Sequence, residues 1–313
     1  MLTRRYCDLN SALRRHFGCR VQKITLDAGL TCPNRDGTVG VGGCIYCNSR
    51  GSGTGLSCHY SITQQLEQGK ERLRRRYRAK KFIAYFQSFS NTYGPLNRLG
   101  RIYREALAVD DVVGLTIGTR PDCVPDNVLD LLAELNQQTY LWVEYGLQSI
   151  HDHTLKIINR GHNVAAFLDA VERTRKRGLR ICVHVILGLP GETKADMLAT
   201  AQALANLDFQ GIKIHLLYVI QNTPLAELFH RGAYRCLSRA EYVDMVCDFL
   251  ALLPSHLIIH RLTGDPHPHE LVAPQWALEK QTNLQAVQNT LERRDLWQGK
   301  WYRQSNLAEG GDC

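Results

Sequence analysis

Six short apolar runs, rich in β-branched and aromatic residues, recur along the chain: Val21–Leu26, Phe82–Phe86, Val112–Ile117, Tyr140–Tyr145, Ile181–Leu187 and Ile212–Val219. Their centres lie about 30 to 60 residues apart, the spacing of repeated strand–helix units. Near-continuous apolar runs predict strands buried on both faces, which a parallel sheet covered by crossover helices provides. The expected fold class is α/β, a partial (β/α)6 barrel with a small C-terminal α/β extension. Its working face should lie at the strand C-termini. The βα rhythm stops near residue 220. We therefore expect the barrel in residues 1–220 and the extension, packed on it, in 221–313. The extension should hold a helix at Arg239–Leu252, a strand at Leu257–Leu262 and a helix around Thr282–Arg293.

Among the crossovers, Ser61–Lys81 reads as a helix. Ile62, Leu66, Gly69, Leu73 and Tyr77 form one stripe at helical spacing, and eight basic residues fall off it. Val128–Leu135 and Ala165–Lys176 read as further helices. At 313 residues, with 44% hydrophobic and 22% charged residues, the chain excludes a disordered or collagen-like protein. No apolar run reaches a membrane span. The net charge of +8 leans mildly towards polyanionic partners.

Eleven cysteines, an odd number, and a start without an apolar leader core fit a reducing, cytoplasmic compartment better than a disulfide scaffold. The question is then which cysteines bind metal. Cys32, Cys44 and Cys47 directly follow the first strand, with eleven residues between the first pair and two between the second. Gly37, Gly40, Gly42 and Gly43 let the backbone wrap closely. Clustered thiolates select zinc or an iron–sulfur cluster. A zinc loop would need a fourth ligand, with Cys58 or His59 nearest. A [4Fe–4S] cluster on three cysteines would leave one iron open. The other cysteines are scattered and are expected to fill the core.

The cysteine segment resembles the cluster loop of the radical S-adenosylmethionine (SAM) superfamily, with the long first gap of its Elp3-like branch. The wider match is to the YhcC/YtqA-like group. It rests on Cys32-Pro-Asn-Arg-Asp-Gly, Gly42-Gly-Cys44-Ile-Tyr-Cys47-Asn48 and Gly51-Ser-Gly. Ala84–Tyr93, Gly118–Asp122, Glu144–Ser149, Asn159–His162, His184–Glu192 and Arg261–Asp265 extend it over nearly the whole chain. The resemblance implies a [4Fe–4S] cluster on Cys32, Cys44 and Cys47, with SAM on the fourth iron. It further implies reductive cleavage to a 5′-deoxyadenosyl radical, fed by a low-potential donor such as flavodoxin or ferredoxin.

The same resemblance suggests roles along the strand ends. Gln87, Ser90 and Asn91 would hold the SAM amino group, and Arg120 its carboxylate. Glu144 and Gln148 would take the ribose. Tyr46 and the backbone around Leu187 would hold the adenine. Plain structural duties compete at each position: a polar turn at Gln87–Asn91, an ion pair for Arg120, a buried pairing for Glu144. His184 and His215 read as core residues. The Elp3-like branch acts on tRNA, so RNA is one substrate class to consider, with Lys70–Lys81, at net +7, the concentrated basic surface. A solvated helix face is the plainer reading of that run, since its basic residues spread around every face except the apolar stripe. Asp265–Glu270, with His267 and His269, reads as a linker or a lid, less readily as a second metal site.

Overall fold

The computed structural model describes residues 5–51 and 59–303; Cys58 and part of the Gly51-Ser-Gly motif lie outside them. In chain order the strands are β1 Val21–Leu26, β2 Lys81–Phe86, β3 Val112–Thr119, β4 Tyr140–Gln148, β5 Arg180–Leu187, β6 Gly211–Leu216, β7 Val219–Ile220, β8 Ile258–Arg261 and β9 Leu271–Ala273. The helices are α1 Leu9–Phe17, α2 Ile62–Tyr77, α3 Leu96–Leu107, α4 Asp126–Asn136, α5 Asp152–Ile157, α6 Val164–Lys176, α7 Lys194–Ala205, α8 Pro224–His230, α9 Arg239–Leu252 and α10 Lys280–Arg293. Seven strands form one parallel sheet in the order β1-β2-β3-β4-β5-β6-β8.

The sheet is curled into an open barrel, and side-chain contacts prove the curl. Flat, neighbouring strands lie about 4.8 Å apart, so β1 and β8, six steps apart, would be separated by roughly 29 Å. Instead Lys23 Nζ on β1 lies 3.4 Å from His260 Nδ1 on β8. Lys213 Nζ on β6 likewise reaches Tyr85 Oη on β2 at 2.9 Å. The barrel stays open, since β1 and β8 do not pair. The edge of β8 is covered by the N-terminal segment, where Ile259 N–H donates to Cys7 O at 2.7 Å.

The first five expected strands match to within a few residues. The sixth ends at Leu216, and Val219–Ile220 turns away to pair antiparallel with β9. The strand expected in the extension instead joins the barrel sheet as its seventh strand, parallel to β6. Its four-residue length and the long helix before it hid the βα unit. The helix expected to reach Lys81 ends at Tyr77. Arg78 turns left-handed (φ 52°), and Lys81 already pairs with Val21 in the sheet.

Gly69 explains how α2 seats on β1. A Cβ there would meet Ile24 Cγ2 at 2.4 Å. Gly69→Val should therefore cost about 1–3 kcal/mol through overpacking, despite a gain in helix propensity. A urea midpoint equal to that of the parent chain would refute this tight contact.

Candidate active site

The loop from Cys32 to Cys47 leaves the C-terminal end of β1, at the rim where barrels of this kind work. Short internal bonds shape it: Arg35 N–H to Cys32 O at 2.9 Å, Gly43 N–H to Asn34 O at 2.8 Å and Cys47 N–H to Cys44 O at 2.9 Å. Gly42 and Gly43 sit at positive φ (79° and 80°), which side-chain-bearing residues rarely adopt. The loop is pinned to the turn after α5. Asn34 Nδ2 donates to Asn159 O at 2.6 Å, and Asn159 Nδ2 returns a bond to Gly43 O at 2.8 Å. Next to it, buried Arg160 donates to Gly146 O at 2.7 Å and points Nη1 at Cys44 Sγ, 3.6 Å away. The Asn159-Arg-Gly-His162 motif thus supports the cysteine loop and places a cation beside it.

All three cysteines line one cavity of about 470 Å3 that opens at the strand C-termini. Burial and then the neighbouring Cys44 push the Cys47 thiol up to about 11. Tetrahedral zinc, with Zn–S about 2.3 Å, holds its sulfurs about 3.8 Å apart. Among the described residues, the one three-ligand group whose donor atoms all lie within 4.8 Å is Glu144, Cys182 and His184. The three loop cysteines are spread wider, which fits the edges of a multi-iron cluster better than one zinc ion. His59 is exposed and does not line the cavity. Neither is the Glu144 group a convincing metal site, because two lysines already occupy its carboxylate.

Of the predicted cofactor contacts, Tyr46, Gln87, Ser90, Arg120, Glu144 and Gln148 line this cavity. Ser90 Oγ is buried with no hydrogen-bond partner, which leaves it available to a ligand. Gln148 sits at φ 80° on a register shift between β4 and β5. Such strain is held where surrounding structure imposes it, often at ligand sites. Asn91 is fully buried and does not line the cavity. Its Nδ2 bonds Gly118 O at 2.9 Å and ties the β2 and β3 ends together, while Oδ1 is unpartnered.

Three predicted residues turn out to be differently engaged. The Leu187 side chain packs in the hydrophobic core, and the alternation along β5 turns the Ile186 side chain to the cavity, while the contact expected at Leu187 was from its backbone. Arg120 forms a two-pronged pair with Asp122 (Nε–Oδ1 2.9 Å, Nη2–Oδ2 2.7 Å) and donates Nη1 to Arg160 O at 2.7 Å. Three of its five donors are thus spent on structure. Glu144 is fully buried. It takes Lys23 Nζ on Oε1 at 2.8 Å, and His184 Nε2 at 2.9 Å together with Lys213 Nζ on Oε2.

Sequence reasoning missed the floor of the cavity. Tyr85, His184, His215 and Arg261, from β2, β5, β6 and β8, converge there, with Lys213 behind them. A lysine or histidine at an inward strand position was the available signal, because such a group buried in a barrel needs a partner. The His184 and His215 rings lie 5.3 Å apart between centroids, tilted at 47° to each other. Burial alone would raise the Glu144 carboxyl, but Lys213 and then Lys23 hold it well below the usual range. Burial, then Lys213, depresses His184 to about 4; burial, then Lys23, depresses His260 to about 3. These imidazoles stay neutral in the folded chain while the unfolded chain protonates them near 6.5. Stability should fall as pH drops from about 6.5 towards 4, by up to about 1.4 kcal/mol per pH unit for each group. A thermal midpoint that stays level over that window would contradict the neutral assignment.

Asp265–Glu270 is a wall of the cavity. Asn48 Nδ2 donates to Glu270 Oε2 at 3.0 Å and Arg50 pairs with the same carboxylate, joining the cysteine loop to the C-terminal segment. Among the described residues no compact three-ligand group includes His267 or His269. None of the described helices is long and apolar enough to cross a membrane.

The open parallel barrel and three thiols at its C-terminal rim define a class, and comparison with known proteins gives the same one. The Radical SAM superfamily model matches residues 32–204 and the Radical SAM C-terminal domain model residues 209–293, so the chain belongs to the radical SAM superfamily. It is 46% identical to the uncharacterized protein YtqA of Bacillus subtilis, over 96% of this chain and 94% of that one. It is 38% identical to protein YhcC of Escherichia coli, over 87% of both. Elongator complex protein 3 of Schizosaccharomyces pombe is 31% identical over 49% of this chain, but that match spans only 28% of the relative. The structure of archaeal Methanocaldococcus infernus Elp3 shares the fold, with TM-score 0.69 at 19% identity, covering 88% of this chain and 63% of that one. The chain is accordingly an enzyme of a superfamily that uses a [4Fe–4S] cluster and SAM and draws electrons from a reductant.

Proposed function

We propose that Cys32, Cys44 and Cys47 ligate three irons of a [4Fe–4S] cluster and that SAM occupies the fourth. A reduced [4Fe–4S] cluster held there would supply the electron for cleaving SAM to methionine and a 5′-deoxyadenosyl radical able to take a hydrogen atom from substrate. Ser90 and Gln87, which line the cavity, would bind the polar end of SAM, and Gln148, Tyr46 and Ile186 would hold its nucleoside. Arg160 sets positive charge beside Cys44. Arg120 and Asn91 position the surrounding loops rather than grip SAM. Glu144 organises the cavity floor. The observation that carries this reading is the convergence of the three cysteines and the orphaned Ser90 hydroxyl on one cavity at the strand C-termini.

The substrate is one that enters this cavity. An RNA held by Lys70–Lys81 fits less well. The basic end of α2 runs into the N-terminus of β2, whose six residues span roughly 20 Å to the working rim. Lys70, Arg74 and Arg75 are already paired with Glu67, Asp111 and Glu71. A flavodoxin or ferredoxin is the proposed electron donor. Anaerobic reconstitution tests the cofactor assignment. We expect about four irons per chain and an electron paramagnetic resonance spectrum of the reduced cluster that changes when SAM is added. One tightly bound zinc, or a spectrum indifferent to SAM, would refute it.

A further inference from the structure

Arg261 ends β8 and lines the cavity floor, yet it has no part in holding the cluster or SAM as proposed above. Among the described residues its guanidinium makes no hydrogen bond or ion pair, although it is half-buried. The other arginines of the cavity are committed. Arg120 binds Asp122, Arg160 binds Gly146 O, Arg50 binds Glu270, and Arg35 donates to Cys47 O at 3.1 Å. The acids near the mouth are committed as well, Asp265 to Lys280 at 2.8 Å and Glu270 to Arg50. On the floor a single carboxylate, Glu144, serves both Lys23 and Lys213. Two lysines and Arg261 thus face one negative charge in a concave, partly desolvated space.

The neutral partners do not relieve the imbalance. His184 and His215 are neutral when folded, and Tyr85 Oη already accepts from Lys213. Arg261 is in register with Lys213 on β6, so the two side chains rise from adjacent strands. Tyr218 closes the flank. Gly264 lets the backbone approach its ring, because a Cβ there would come within 2.8 Å of it. A half-buried cation without a counter-charge is costly, and a guanidinium fork matches a carboxylate or a phosphate in two parallel bonds.

We infer that Arg261, with Lys213 behind it and His215 and Tyr218 beside it, anchors an anionic group of the substrate, a carboxylate or a phosphate. This inference rests on the proposed radical SAM chemistry, since it places the substrate's charged end in the cavity where that chemistry would act.

The test uses the full chain with reconstituted cluster and saturating SAM, titrated calorimetrically with inorganic phosphate, succinate or chloride. We expect phosphate or succinate, but not chloride, to bind the parent chain, and the tighter of the two to identify the anion class. Arg261→Gln should weaken that binding about ten- to a hundred-fold. Arg261→Lys, which keeps the charge but loses the fork, should fall between, and it guards against a Gln variant that fails to fold. Absence of phosphate and succinate binding to the parent, or equal binding to all three chains, overturns the anchor. So does competition of these anions with SAM accompanied by lost SAM affinity in both variants, for the guanidinium would then serve SAM. If the parent chain makes 5′-deoxyadenosine but binds neither anion, only the anchor fails. If it makes none, the proposed function fails.

Discussion

Replacing any one of Cys32, Cys44 or Cys47 with alanine should reduce iron incorporation to background, and with it SAM cleavage, whereas Cys58→Ala should keep both. Three thiols on one glycine-rich loop supply every protein ligand in the proposed site, so losing one opens a second iron to solvent and removes the chelate. Metal content and the visible absorption of anaerobically reconstituted variants check this. If Cys58→Ala loses its iron while Cys32→Ala keeps it, the ligand set is wrong. Cys47 adds a kinetic expectation. Its thiol is held near 11 by burial and by Cys44, so metal uptake must expel its proton and should slow as pH falls.

The largest effect on stability should come from Glu144→Ala. That change leaves Lys23 and Lys213 facing each other in the barrel without their shared carboxylate. Breaking a buried ion pair by removing one partner costs about 3–5 kcal/mol, a fall on the order of 10 °C in Tm. The sign of its pH dependence follows from Lys213. Burial already depresses that amine to about 8 against the pull of Glu144. Without the carboxylate it falls further below its unfolded value of 10.5, the unfolded chain then binds more protons, and stability rises with pH. The deficit of the variant should therefore be smaller at pH 9 than at pH 7. A variant as stable as the parent, impaired only in SAM affinity, would show instead that Glu144 is a ligand contact.

Much of the barrel was legible because buried parallel strands write themselves as unbroken apolar runs. Val21–Leu26 and Tyr140–Gln148 need no partner to be recognised. The strand at Ile258–Arg261 was legible, but its place as the seventh of the barrel was not, since it is four residues long and follows a helix with a proline after it. The cysteine loop was legible from spacing and glycine alone. The cavity floor was not, because Tyr85, His184, His215 and Arg261 lie on four strands and meet only once the sheet curls. Lys23 and His260 are 237 positions apart, and no local pattern announces that they touch. The surroundings of Arg120 and Leu187 were legible from local pattern. Arg120 is spent on an acid two residues away that any reader could have paired with it. Leu187 faces the core by the two-residue alternation of the strand, which puts Ile186 on the cavity side.

The central claim is that this cavity binds SAM on an open iron and cleaves it. Formation of 5′-deoxyadenosine, measured by mass spectrometry after adding dithionite to the anaerobically reconstituted chain and SAM, tests it most directly. The expected result is 5′-deoxyadenosine and methionine in equal amounts from the parent chain and none from Cys44→Ala. A fully iron-loaded parent chain that leaves SAM intact under the same reductant, or a Cys44→Ala variant that cleaves it equally well, would contradict the account.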